Sequence, residues 1–338
     1  MRSAVFLLLI GFFSLSVSAI NISSCQTLNA PGEYYLNQDV QQPEFRNCFW
    51  IPSGGVVLDC QGHSISIPYT PQLHSSIPIA SDAANVEVRN CVLRADLFSS
   101  ENGIIIYPMG NDPIQNLTVT GCVFENLGYA FRAWHALLPD PHTNALNFSY
   151  NVIKNGANGF WTNSSVPEQG LVFANNYVKV SGTGAVINSL NPVFENNTFV
   201  GGMPVLEIGQ ETTAVNVSFD KDLAVVYAPL TVDWFLSVKA VNKAGSPISG
   251  ALVSVYDVND DSVFEGFTGE SGWFGGKATE YVQFPGPTKE FKTPTSIVVS
   301  KDSYVEEALV TLDANKQVEL QLDPVKVKKP KKQKKPKD

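Results

Sequence analysis

Five short segments between Val86 and Val200 stand one beneath another: VEVRNCVL, LTVTGCVF, LNFSYNVI, LVFANNYV and PVFENNTF. Cys91, Cys122, Asn151, Asn176 and Asn197 then share a column, at spacings of 31, 29, 25 and 21 residues. Three residues before it run Val88, Val119, Phe148, Phe173 and Phe194, and two after it Leu93, Phe124, Ile153, Val178 and Phe199. Side chains alternate across a strand, so apolar residues two apart share one face. Each segment therefore reads as strand, tight turn, strand. A unit of 21 to 31 residues cannot bury such a face alone, and its repetition implies coils stacked into a solenoid.

In a stacked turn an inward asparagine has a definite task. Its amide reaches the backbone of the coils above and below and satisfies groups that the turn leaves bare. A cysteine fills the same slot as a small buried group. With its ladder of Asn and Cys the chain resembles the right-handed parallel β-helix proteins of the pectate-lyase-like superfamily. The stretch CQTLNAPGEYYLNQDV…CFWIPSGGVVLDCQGHSIS resembles the opening of secreted, archaeal-type proteins with such repeats. The resemblance covers about 200 residues and implies the fold. Pectate-lyase-like folds also house lyases and hydrolases, so it leaves the activity open.

Residues 1–19 read as a secretory signal peptide: Arg2, an apolar run, then Val17-Ser18-Ala19 as the cleavage site. No later stretch is apolar and long enough for a membrane helix. The expected location is secreted, extracellular or at the cell surface, where disulfides are permitted. The five cysteines are read as Cys25 with Cys48, flanking an N-terminal cap, and Cys60 with Cys91, one coil apart, which leaves Cys122 free. A fully reduced ladder is the alternative. Asn21, Asn116, Asn147, Asn163, Asn196 and Asn216 head glycosylation sequons. Asn147, between inward Leu146 and Phe148, is expected to point out.

The net charge of −9 is unevenly spread. Residues 324–338 hold eight lysines and one aspartate, or +7, leaving −16 for the rest. Such a tail cannot pack and is expected to be disordered. The signal peptide argues against nucleic acid as its partner, so an anionic cell-surface polymer is the expected one.

The N-terminal cap and entry strand are expected over Ile20 to Pro52, within a β-helix spanning 20–228. A second recurring signal, Gly103-IIIY, Gly128-YAFRA, Gly159-FWTN and Gly184-AVIN, supplies another sheet, its glycines suiting turns that need positive φ. From Leu230 the pattern changes to hairpins. AGSPISGALVSV followed by TGESGW resembles the carboxypeptidase regulatory-like, or prealbumin-like, β-sandwich, implied here over 229–323. Where that family has Lys-x-Gly-Tyr, this chain has Lys301-Asp302-Ser303-Tyr304, so the turn there should differ. The fold class is all-β: a right-handed parallel β-helix followed by a small prealbumin/Ig-like sandwich.

Alternation in the glycine-headed strands puts Ile105, Tyr107, Ala130, Arg132, Trp161, Asn163, Val186, Asn188 and Glu207 on one exposed face. The excursion from Arg132 to Asn144 adds Trp134, His135, Asp140 and His142. Aromatic rings with Arg132 and histidines have the chemistry of sugar stacking and hydroxyl recognition, so Tyr107, Arg132, Trp134, His135, His142, Trp161, Asn163 and Asn188 are the candidate ligand-binding residues. A polysaccharide lyase or hydrolase on that face is the alternative, and it needs paired carboxylates. Asp140 and Glu207 are too few for that, and no catalytic residue is assigned. Among the four histidines the loop pair His135 and His142 alone has any ligand spacing, and seven residues apart with one nearby aspartate it is a weak metal signal; Asp257 to Asp261 lacks the EF-hand glycine and glutamate, and neither metal nor cofactor is expected. The oligomeric state is left open. The expected role is structural or adhesive, with carbohydrate as ligand.

Overall fold

The computed structural model describes residues 19–43, 46–68, 75–80, 83–96, 102–107, 114–134, 143–163 and 168–322. These form an all-β structure with long parallel sheets and, among the described residues, no helix. The arrangement is consistent with a β-helix-like fold. From Val56 to Ile208 each coil contributes one strand to each of three sheets. Val86–Arg89, Val92–Ala95 and Asn102–Tyr107 make one coil, and the strands beginning at Ile114, Val123 and Tyr129 make the next. The ladder segments pair in register, as Val88 with Val119, Val119 with Phe148, and Phe148 with Phe173.

Stacking extends beyond the recognised repeats at both ends. Ala19–Ile22 and Gly32–Leu36, in the stretch expected as cap and entry strand, are the first two strands of the first sheet. At the other end Ala224–Val226 adds a last strand to the third sheet, and the opening residues of Leu230–Val241 still pair in parallel with Thr212–Val215. The same twelve-residue strand then pairs antiparallel with Trp273–Gln283 and parallel with Lys316–Gln321. The change from parallel coils to antiparallel hairpins therefore occurs inside one strand, with no linker between. A four-stranded antiparallel sheet of Ser262–Phe267, Leu252–Tyr256, Thr295–Lys301 and Tyr304–Val310 completes the C-terminal part. Asp302, with φ of 53°, takes the left-handed position of its last hairpin turn.

The coil interior is a stack of rings. Phe148 and Phe173 lie 5.5 Å apart between centroids and 8° from parallel, and Phe131 and Phe160 lie 5.0 Å apart at 10°. In-register strands force like residues above one another, so a ladder of phenylalanines packs as offset stacks.

The turn between the first and second sheets explains the column before the ladder. Asn90, Gly121, Tyr150, Asn175, Asn196 and Asn216 all have left-handed backbones, with φ between 52° and 64°. Asparagine and glycine adopt that region readily, and bulkier residues do so at about 1–2 kcal/mol. Tyr150 is the bulky one, and its side chain, 65% exposed, makes little compensating contact. Tyr150→Asn is expected to stabilise the protein by about 0.5–1 kcal/mol, read as a raised urea midpoint with unchanged slope. A lowered midpoint would show that the tyrosine contributes packing that outweighs its backbone strain.

The glycine-headed strands correct one expectation. Gly103, Gly159 and Gly184 do not have positive φ. A Cβ on Gly159 would lie 2.2 Å from the carbonyl oxygen of Gly184, and one on Gly184 2.3 Å from that of Val205. These glycines are required by close approach of neighbouring coils at a corner. The position asks only for a small residue, and in GYAFRA it is Ala130 that fills it, pairing across the glycine column between Gly103 and Gly159. Ala130 is accordingly buried in the core and leaves the outward face.

Candidate functional site

The ladder asparagines are interior and bonded. Asn151, Asn176 and Asn197 each accept, through Oδ1, the backbone N–H of the ladder residue one coil earlier, at 2.9 Å from Cys122, 3.0 Å from Asn151 and 2.9 Å from Asn176. Each Nδ2 donates to a carbonyl on the preceding coil, Val119, Phe148 or Phe173, at 2.7–3.0 Å. Disulfides join Cys25 to Cys48 and Cys60 to Cys91, and Cys122 is a free, buried thiol. Burial pushes the Cys122 thiol up to about 12, so it stays protonated and inert at neutral pH. This column holds register and offers nothing to a ligand.

The turn beside it carries the first polar cluster. Asp59 accepts from the Gln61 N–H at 2.8 Å, from Arg89 Nε at 2.9 Å and from Asn90 Nδ2 at 3.1 Å. Burial disfavours its charge, but these three donors outweigh burial and hold the carboxyl below the usual aspartate range. Arg89 also pairs with Glu87 at 3.0 Å. Both carboxylates share one guanidinium, which makes this a structural clasp over the Cys60–Cys91 turn. His63 faces Asp39 at 3.4 Å.

The outward column of the third sheet runs Pro78, Ile105, Arg132, Trp161 in register, then Val186, Glu207 and Val225. Arg132 is its centre. The guanidinium carbon lies 4.7 Å from the Tyr129 ring centroid and 4.8 Å from that of Trp161, and the two rings are 5.8 Å apart. A cation over two rings is held by their quadrupoles and fixed in place. Tyr129 was not among the expected residues. Counting from Gly128 placed it inward, whereas the glycine column passes through Ala130 and turns Tyr129 toward Trp161. The expected face is also less open than alternation implied. Ile105 is 1% exposed and Val186 8%. Strands about 4.8 Å apart place large outward neighbours over smaller ones, and Arg132 stands beside Ile105 as Trp161 stands beside Val186. Tyr107, Arg132, Trp161, Asn188 and Glu207 remain half-buried. Asn188 accepts from Gln210 Nε2 at 3.3 Å.

Trp134 and Asn163 pair in register on adjacent strands, and their side chains lie outside the described residues. His135, Asp140 and His142 lie outside them entirely.

Of the sequon asparagines, Asn21, Asn116 and Asn196 are exposed. Asn116 donates to Asn85, and Asn216 donates to Asn196 and accepts from Asn315. Asn147 does lie between two buried residues, but its Oδ1 is covered rather than solvated. Its in-register neighbours Thr118 and Val172 stand over it. Among the described residues no three His, Cys, Asp or Glu are grouped to hold a metal. The Asp257 carboxylate instead accepts the N–H groups of Asn259 and Asp261 and faces Lys292. No described helix is long and apolar enough to cross a membrane.

No protein-family model matches the chain, and no curated protein matches it.

Proposed function

We propose that this is an exported surface protein that binds carbohydrate through the outward face of the third sheet, centred on Arg132. In this reading the coils are a right-handed parallel β-helix of pectate-lyase-like type over 20–228, and residues 229–323 form a prealbumin-like sandwich. Residues 1–19 direct export, the lysine tail of 324–338 meets an anionic surface polymer, and glycans attach at exposed sequons such as Asn21. Two disulfides suit an oxidising compartment.

The observation that carries the reading is the Tyr129–Arg132–Trp161 cluster. It presents rigid aromatic surface and a fixed cation at the middle of a straight, in-register face. Sugars stack their C–H faces on such rings and direct hydroxyls at such cations. A lyase or hydrolase on the same face is less well supported. Glu207 is the one carboxylate among the described residues of that outward column, and three strand spacings, ~14 Å, separate it from Arg132, whereas paired catalytic carboxyls lie about 5–9.5 Å apart.

The test is a glycan array with the chain lacking residues 324–338, followed by affinity electrophoresis against the polymers retained. Trp161→Ala and Arg132→Ala are each expected to weaken retention about tenfold, the loss of one stacking or cation–π contact of over 1 kcal/mol. Unaltered retention in both variants, or release of reducing or unsaturated ends from any retained polymer, would overturn the assignment.

A further inference from the structure

We infer that a second, separate site lies where the last coil meets the hairpin that closes it, and that it takes a polyhydroxy carboxylate of sugar-acid size. Between Ala224–Val226 and the loop joining Trp273–Gln283 to Lys289–Phe291 is a cavity of about 470 Å³. That volume falls in the range of small-ligand sites. Tyr227 and Val225 on the coil side, with Pro285 and Pro287 on the hairpin side, give it apolar walls. The Gly286 N–H donates to the Val226 carbonyl at 3.2 Å and fixes the hairpin across the coil end.

The polar groups are few and convergent. Gln283 lines the cavity and is only 2% exposed. Its Nε2 donates to the Gly286 carbonyl at 3.1 Å, while its Oε1 is buried with no hydrogen-bond partner among the described residues. Tyr281, two residues earlier on the same strand face, has a buried hydroxyl in the same condition. Buried polar atoms in native proteins are satisfied with few exceptions, so an unpartnered acceptor on a residue that lines the cavity points to a donor supplied from it. Two lysines, Lys221 and Lys289, also line the cavity. Lys221 Nζ contacts both oxygens of Glu280, at 2.6 and 2.7 Å, and Lys289 Nζ donates to the Lys221 carbonyl at 3.0 Å and to Asp222 at 3.1 Å. An ammonium has three N–H groups, so each keeps one. Asp222 is almost fully exposed, and such a pair holds its lysine weakly. A carboxylate suits the two spare N–H groups, a hydroxyl suits Gln283 Oε1, and a carbon skeleton with C–H faces suits the prolines and Tyr227. One molecule with all three features is a polyhydroxy carboxylate.

The site shares no residue with the Arg132 cluster, so the two stand or fall separately. The full chain with its disulfides intact is titrated by calorimetry with D-gluconate, with D-glucose (hydroxyls without charge) and propionate (charge without hydroxyls) as controls. Gluconate is expected to bind at least about tenfold more tightly than either control. Gln283→Leu and Lys289→Met should each weaken it about tenfold, the loss of one hydrogen bond to a charged or buried group. Lys289→Arg should retain most of the affinity, and Trp161→Ala all of it. Gluconate binding no tighter than propionate, absent altogether, or unchanged in Lys289→Met would overturn the assignment. Tyr227→Ala, a change at an exposed wall, gives a second reading if Gln283→Leu does not fold: wild-type affinity there would equally count against the site.

Discussion

Replacing Asn176 by leucine is expected to destabilise the coils by about 2–4 kcal/mol, out of proportion to so small a change in volume. The Asn176 amide accepts the Asn151 N–H at 3.0 Å and donates to the Phe148 carbonyl at 2.9 Å, and all three residues are buried. Leucine fills the space but leaves that N–H and that carbonyl without partners. A buried group stripped of its bond loses about 1–3 kcal/mol, so the two together dominate any gain from added apolar surface. Asn176→Cys should be milder, because Cys122 already occupies the same column with its sulfur 3.4 Å from the Thr120 carbonyl and 3.8 Å from that of Val88. Urea unfolding gives the overall change. Since stacked arrays can lose cooperativity, hydrogen exchange at the Asn151 amide reads the local one. A loss under about 1 kcal/mol with that amide still protected would mean the turn re-satisfies itself, and the ladder would not be the source of register.

Glu280→Leu is expected to loosen the junction between coil and hairpins, by about 2–4 kcal/mol. Glu280 is 5% exposed and accepts both contacts from Lys221 Nζ and the Trp234 Nε1–H at 2.7 Å. Lys221 also lies 5.7 Å from the Trp234 ring centroid and 5.9 Å from that of Tyr281. Removing the carboxylate leaves a lysine between two rings and an indole N–H with no acceptor. Lys221 keeps part of its surface in water, so the loss falls short of that for a fully buried charge. In the double variant Lys221→Met, Glu280→Leu, the uncompensated charge disappears, and most of the lost stability should return. Additive losses in that cycle would show that the two side chains act independently, and that the junction rests on backbone pairing alone.

How much of this was legible in the residues differs from column to column. Inward Phe148, Phe173 and Asn176 announce themselves because period-two alternation repeats at each coil. The left-handed asparagines and glycine beside them stand in the same rows, as RNC, TGC, ANN and ENN. Positive φ is a backbone property that side-chain alternation does not report. Ala130 shows the opposite failure. Gly128 looked like the partner of Gly103, yet steric room at a corner selects any small side chain, and the register chose the alanine. That single slip hid Tyr129, the ring that completes the Arg132 cluster. Glu280, Tyr281 and Gln283 carried no signal at all. They meet Lys221 and Lys289 only because a hairpin folds back across the coil end.

By itself, then, the sequence determined that the chain is all-β, that its coils stack on an Asn and Cys ladder, and which faces of the ladder strands are buried. Those properties follow from local periodicity and from the need to satisfy backbone groups in stacked turns. The tertiary structure decided which outward residues touch, where Leu230–Val241 passes from parallel to antiparallel partners, and how the last coil is closed. Those depend on register between strands 20 or more residues apart, and a shift of one position turns each side chain to the other face.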